Sequence, residues 1–182
     1  MPNHVQNEIS FYCTEDEVKE IKAFMTTEES DFDFNKLIPM PSNDDFIRDG
    51  MLSMDAKEKS SGRNWYDWSI ENWGTKWNAY EVEWDCESVR FWTAWSQVPK
   101  IVMALSDKFP NITMDYRWAN EDIGYGVGEC QAFCGMLIAK NQPLGGTKEA
   151  YELAFDIWGT SPSECYLRYD ENKGTYVYDE SR

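Results

Sequence analysis

Histidine is nearly missing from this chain: His4 is the only one. A Ser-His-Asp or Cys-His catalytic arrangement would have to use it, yet it sits at the start of the first extended segment, where a structural or solvated role is expected. Bases are scarce as well. Seventeen Lys and Arg stand against 33 Asp and Glu, a net charge of −16. A general nucleic-acid binder needs cations to displace counterions from phosphate, so no direct nucleic-acid binding is expected. Docking on an anionic membrane is disfavoured for the same reason. No apolar run approaches the roughly 18 residues of a membrane span, and MPNHVQNEIS lacks the basic and apolar regions of a signal peptide. A cytoplasmic location is the expectation. The five cysteines, Cys13, Cys86, Cys130, Cys134 and Cys165, are odd in number, irregularly spaced and without a C-x-x-C pair. Neither a disulfide framework nor a zinc or redox site is expected from them. No D-x-D-x-D-G loop gathers the acids for calcium. The chain is therefore expected to use no metal and no cofactor.

What is present is apolar and aromatic mass. Hydrophobic residues make up 42% and aromatics 15% of 182 residues, enough for one folded domain with a real core. Residues 1–60 carry 14 acids and 6 bases, residues 61–120 carry 8 and 6, and residues 121–182 carry 11 and 5. The near-neutral middle holds eight of the nine tryptophans.

Val5, Ile9 and Phe11 share one face of an extended run, predicting a strand over 4–13. Thr14-Glu-Asp-Glu17 is a capping box, and Val18, Ile21, Phe24 and Met25 follow at helical spacing, predicting a helix over 15–25. Phe32, Phe34 and LIPMP read as extended up to Pro41, and residues 42–64 as a long polar surface loop. A short helix is predicted over 65–73, with Gly74 past its end. Strands follow at 78–84, 88–94, 112–119 and 127–139, the last with Cys130, Ala132, Cys134 and Met136 on one face. Between them Pro99 opens a helix to about 109. A helix at 147–158 and a hairpin around Asp170-Glu-Asn-Lys-Gly174 complete the chain. This order predicts an α+β fold: a ferredoxin-like split β-α-β antiparallel sheet with helices on one face. The domain is expected over 1–139, with a Trp-rich helical insertion at about 35–77. Residues 140–182 would form a helix and β-hairpin extension packed on it.

Three blocks, FDFNKLIPMP (32–41), WYDWSIENWGTKWNA (65–79) and FWTAWSQVPKIVMALSDKFP (91–110), resemble the YubB-type proteins of plasmids and bacteriophages. The opening MPNHVQNEISFY and the later NEDIGYGVGE are similar too. The resemblance implies a ferredoxin-like domain, an origin in a mobile genetic element and a bacterial cytoplasmic location. It implies no catalytic residue.

Three candidate sites follow. The first is aromatic: Trp65, Tyr66, Trp68, Trp73 and Trp77, with Asn72, Lys76 and Asn78, could frame a concave site for a planar, nucleotide-like ligand. Acids such as Glu71 or Asp67 would serve a minor hydrolase there. The second is the G-x-G-x-G run Gly124–Gly128. It leads into a strand, so a bulged turn is expected rather than a phosphate cradle at a helix N-terminus. The third is the acids crowded outside the Trp-rich middle: Glu28, Glu29, Asp31, Asp44, Asp45, Asp49, Glu121 and Asp122. A carboxylate-studded surface can imitate nucleic-acid phosphate and occupy a basic groove. The function expected first is thus a non-enzymatic acidic protein that binds a basic surface of a host bacterial protein, in the manner of counter-defence or DNA mimicry. A ligand-binding module built on the aromatic insertion and a structural, virion-associated protein are the alternatives.

Overall fold

Alternation and a capping box set the first two elements. In β1 (His4–Tyr12) Val5, Ile9 and Phe11 are buried. Thr14 then caps α1 (Glu15–Met25): its hydroxyl accepts from the Glu17 N–H, while the Glu17 carboxylate accepts from the Thr14 N–H at 2.8 Å. The structure, a computed structural model, describes residues 3–43, 46–47, 50 and 63–180. After a 3₁₀ turn (Phe34–Lys36) come α2 (Trp65–Asn72), β2 (Tyr80–Trp84), β3 (Ser88–Ala94), α3 (Pro99–Lys108) and β4 (Thr113–Asn120). Next are β5 (Gly128–Phe133), β6 (Met136–Asn141), α4 (Lys148–Trp158), β7 (Leu167–Asp170) and β8 (Thr175–Tyr178).

Six strands form one antiparallel sheet in the order β2-β3-β1-β4-β5-β6, and β7 and β8 pair separately. The first four strands with α1 and α3 make the split β-α-β arrangement. β3 lies between β1 and β2, so each helix crosses over a strand before the chain returns to the sheet. Val5, Ile9, Phe91, Met114 and Tyr116 on one face meet Val18, Ile21 and Met25 of α1 and Ile101, Val102 and Leu105 of α3 in a single buried cluster. Both helices therefore cover one face, as expected.

The opposite face is half covered by α4. Ala119, one residue out of phase with Trp118, joins Ala150, Ala154 and Ile157 in a second cluster. Gln6 donates to the Ile157 carbonyl at 2.6 Å, and Trp158 Nε1 donates to the Asn120 carbonyl at 3.0 Å. The uncovered half carries polar side chains beside the exposed Phe133, Met136 and Ile138 of the β5–β6 edge. Glu8 there pairs with Arg90 at 3.3 Å and with Arg117 at 3.0 Å, and Arg117 also bridges to Asp156 of α4. The guanidinium of Arg117 feels burial, which lowers its pKa, but its bonds to Asp156 and Glu8 and their charge outweigh that and hold it fully ionised.

Two predicted segments are corrected. Residues 127–139 are a hairpin, β5 and β6, joined by Cys134 and Gly135, both at positive φ (48° and 75°). Cys130 is consequently buried on β5, whereas Cys134 is exposed in the turn, so the two do not share a strand face. Residues 34–36 are not extended, because the Asp33 carboxylate accepts from the Asn35 N–H and caps a 3₁₀ turn. The sheet also ends at Asn141 rather than at 139. All five cysteines are free thiols.

Candidate binding site at one end of the sheet

The strand order decides which loops meet. The start of β1 pairs with the ends of β3 and β4, His4 opposite Ala94 and Val5 opposite Asn120, and the start of β2 pairs with Trp92. Segments 26–31, 73–79, 95–98 and 121–127 therefore emerge at the same end of the sheet. At their junction the His4 imidazole lies 2.7 Å from the Tyr80 hydroxyl and 5.1 Å, ring to ring, from Trp92.

The aromatic insertion divides into two. Trp73 is buried: its Nε1 donates to the Ile38 carbonyl at 2.9 Å, and its ring packs edge-on against Phe34 and Trp68. Asn72 donates to the Trp68 carbonyl inside α2. Asn78 accepts from the Phe34 N–H at 2.9 Å and donates to the Asp33 carboxylate at 2.8 Å. Trp73 and Asn78 thus hold the insertion on the core, while Trp68 and Asn72, both half-buried, bond and pack within the insertion. Asp67 is tied to Asn64 in the α2 cap at 2.7 Å, and Glu71 is exposed with its backbone carbonyl accepting from Lys100. What remains at the surface is Trp65, Tyr66, Lys76 and Trp77. The Lys76 ammonium lies 4.4 Å from the Trp77 ring centroid, 5.1 Å from that of Trp95 and 6.0 Å from that of Tyr66. Trp95 was not singled out from the sequence. It is 42% exposed and its φ is +71°, an uncommon conformation for a bulky residue, held by a bond from its N–H to the Asn3 carbonyl. Its place straight after an alternating strand gave no sign of this.

Asp33 anchors the insertion and makes it acid-sensitive. Burial raises its pKa, but bonds from Asn35, Asn78 and Thr27 outweigh that and hold the carboxyl below its usual range. A carboxylate depressed in the folded state contributes stability above its unfolded pKa, and that contribution is lost as pH falls through the folded value. Asp33→Asn is therefore expected to flatten the loss of stability on acidification below pH of about 4, measured by urea unfolding at a series of pH values. An unchanged acid limb would show that Asp33 contributes nothing to it.

The acids are brought together in part. Glu28, Glu29 and Asp31 line a hollow of about 330 Å³ against the start of the edge strand β2, together with Glu81, and among the described residues no base lines it. The Tyr80 hydroxyl beside it is pushed up by burial first, then by the charges of Glu121 and Glu81. Glu121 and Asp122, 90 residues further along the chain, thus approach the same end. The Asp122 carboxylate accepts from Asn3 at 3.1 Å. Asp44, Asp45 and Asp49 lie outside the described residues.

The glycine run is a close-packing device. A Cβ at Gly124 would fall 2.4 Å from the Tyr151 ring, one at Gly126 2.3 Å from Asn120, and one at Gly128 2.5 Å from Trp118. β5, not a helix, follows it, so no helix N-terminus stands behind these amides. Among the described residues no three His, Cys, Asp or Glu side chains are grouped to hold a metal ion, and no helix is long and apolar enough to cross a membrane.

These features define an α+β protein with a ferredoxin-like sheet whose loops concentrate acids and aromatics at one end. Residues 72–161, from the last turn of α2 to just past α4, match a protein family described as a ferredoxin-like domain in Api92-like proteins. The matched stretch includes Lys76, Trp77, Trp95, Glu121 and Asp122, and it runs through α4, beyond the last strand of the sheet. No curated protein and no solved structure matches the chain.

Proposed function

We propose that this is a non-enzymatic binding protein of a phage or plasmid that works in the bacterial cytoplasm and occupies a basic surface of a host protein, as a counter-defence protein would. The observation that carries the reading is that Glu28, Glu29 and Asp31 line one hollow with Glu81, and that Glu121 and Asp122 leave β4 at the same end of the sheet, although the segments lie far apart in the chain. All six are exposed and none belongs to the core, so their clustering has no packing role. A concentrated negative field at one end of a domain speeds encounter with a basic partner and fixes its orientation. Lys76, in the 73–79 segment at this end, lies against the rings of Tyr66, Trp77 and Trp95.

The test is a fourfold reversal, Glu28→Lys, Glu29→Lys, Asp31→Lys and Glu121→Lys. A partner captured from host lysate by the wild type, then purified, is expected to lose binding to this variant while its circular dichroism and unfolding midpoint stay unchanged. Binding to the wild type should weaken as salt rises and screening shortens to about 8–10 Å. Salt-insensitive binding that survives the reversal but is lost in a folded Trp77→Ala variant would overturn the charge reading in favour of the aromatic surface.

A further inference from the structure

A cleft of about 770 Å³ opens beside the acidic end, between the 121–125 segment, α4 and the β7–β8 hairpin. Its lining joins Glu121 and Asp122 to Tyr125, Tyr151 and Tyr178, with Leu167 among the apolar residues, and among the described residues no base lines it. The walls are fixed by close approach rather than by chance exposure. Gly124, at φ +85°, lets the Tyr151 ring lie where a Cβ would sit 2.4 Å away. Gly145 and Gly146 admit Tyr125 in the same way, with a Cβ at Gly145 falling 2.6 Å from its ring. Thr175 of the hairpin donates to the Gly146 carbonyl at 2.6 Å, tying hairpin and glycine turn together. Tyr151 is stacked on Phe155 and packed against Tyr176, and its ring is nearly covered, whereas Tyr125 and Tyr178 are more than half exposed. The result is one rigid ring and two accessible ones beside two carboxylates.

That combination suits an organic cation. Ring faces carry negative quadrupole potential and attract a guanidinium or ammonium, the carboxylates neutralise it, and the volume, in the small-ligand range, leaves ample room for one side chain. Among the described residues of the lining, a phosphate or carboxylate ligand would meet two like charges and no cation. We infer that this cleft receives an arginine or lysine side chain of the basic partner, inserted between Tyr125 and Tyr178 with its charge against Glu121 and Asp122. The inference rests on the acidic-surface reading and names the feature of the partner that this end would recognise. It also gives the β7–β8 extension a part in the site, since Tyr178 and Leu167 come from it.

The test needs no host protein. The blocked tripeptide Gly-Arg-Gly is titrated into the full chain and followed by amide chemical shifts, beside the same peptide carrying citrulline, which keeps the shape and loses the charge. Saturable shifts confined to 121–125, 151 and 165–178 are expected for arginine, with citrulline at least about tenfold weaker. The double variant Glu121→Gln, Asp122→Asn is expected to weaken the arginine peptide about tenfold and to leave the citrulline peptide unchanged. Tyr125→Ala, at an exposed site, should weaken it several-fold in a protein whose spectrum is otherwise unaltered. Citrulline binding as tightly as arginine, shifts that map elsewhere, or spermidine binding more tightly than the peptide would each overturn the proposal. Absent peptide binding together with a partner lost in the fourfold reversal would remove the cleft and leave the acidic-surface reading in place.

Discussion

Tyr116→Phe is expected to destabilise the protein by about 2–4 kcal/mol, although it removes a single oxygen from a side chain that touches no candidate site. The Tyr116 hydroxyl is fully buried and makes two bonds: it donates to Asn7 Oδ1 at 2.7 Å and accepts from the Val98 N–H at 2.8 Å. Asn7, also buried, uses its amide on the Val5 carbonyl at 3.0 Å and on Thr93 Oγ1 at 2.9 Å. The network ties β1, β3, β4 and the entry to α3 together at the centre of the sheet. Val98 opens α3 without a side-chain cap, so the Tyr116 hydroxyl is the partner of its N–H. Phenylalanine leaves a carbonyl oxygen and a backbone N–H buried and unpaired, each costing about 1–3 kcal/mol, partly offset by the relief of desolvating the hydroxyl. Burial also pushes the Tyr116 phenol far above its ordinary value, so the group stays neutral across the accessible pH range. At about 2–4 °C per kcal/mol for a chain of this size, the melting midpoint should fall by about 5–15 °C. Urea unfolding followed by tryptophan fluorescence measures the change. The control is Tyr12→Phe, whose hydroxyl bonds to Asp115 at 2.5 Å on a side chain 61% exposed, and which should stay within about 0.5 kcal/mol of the wild type. Equal effects from the two variants would refute the buried network.

Gly124→Ala should be nearly as damaging, at about 3 kcal/mol or more, and for two separable reasons. Its φ of +85° costs an L-residue about 1–3 kcal/mol. In addition the new methyl group would meet the Tyr151 ring at 2.4–2.7 Å. That ring cannot swing away freely, because Phe155 and Tyr176 pack against it and it anchors α4. Gly159→Ala isolates the first term. Gly159 ends α4 in the left-handed conformation at φ +62° with open space around it, so its cost should be about 1 kcal/mol. The difference between the two variants measures the packing of Tyr151 on the glycine turn. If Gly124→Ala were no worse than Gly159→Ala, the turn would be looser than this geometry requires, and the cleft beside it would lose its fixed wall.

Most elements were legible in the residues because their cause is local. Thr14 and Glu17 satisfy each other wherever the chain lies, and Val5, Ile9 and Phe11 alternate because one face of β1 is buried. The β5–β6 hairpin escaped for a physical reason: the apolar alternation Cys130, Ala132, Cys134, Met136 runs on through the turn in the sequence, although pairing of Ala132 with Leu137 and of Phe133 with Met136 swaps the faces there. Leu137, not Met136, therefore continues the buried face of Cys130 and Ala132, and the signal for the turn was in Cys134-Gly135, both at positive φ. The tryptophan block shows a similar limit. Trp73 and Trp77 are four residues apart and equally aromatic, but Gly74, at φ +85°, turns the chain between them, burying one on Phe34 and leaving the other at the surface over Lys76. Composition alone established the acid excess. Which acids share an end was decided by strand order: β1 sits between β3 and β4, so the loops that leave α1 and β4 emerge at one end, the first carrying Glu28, Glu29 and Asp31 and the second Glu121 and Asp122. Sequence periodicity reports which face of an element is buried, whereas the neighbours of that element depend on long-range backbone pairing, which leaves no periodic trace in the residues.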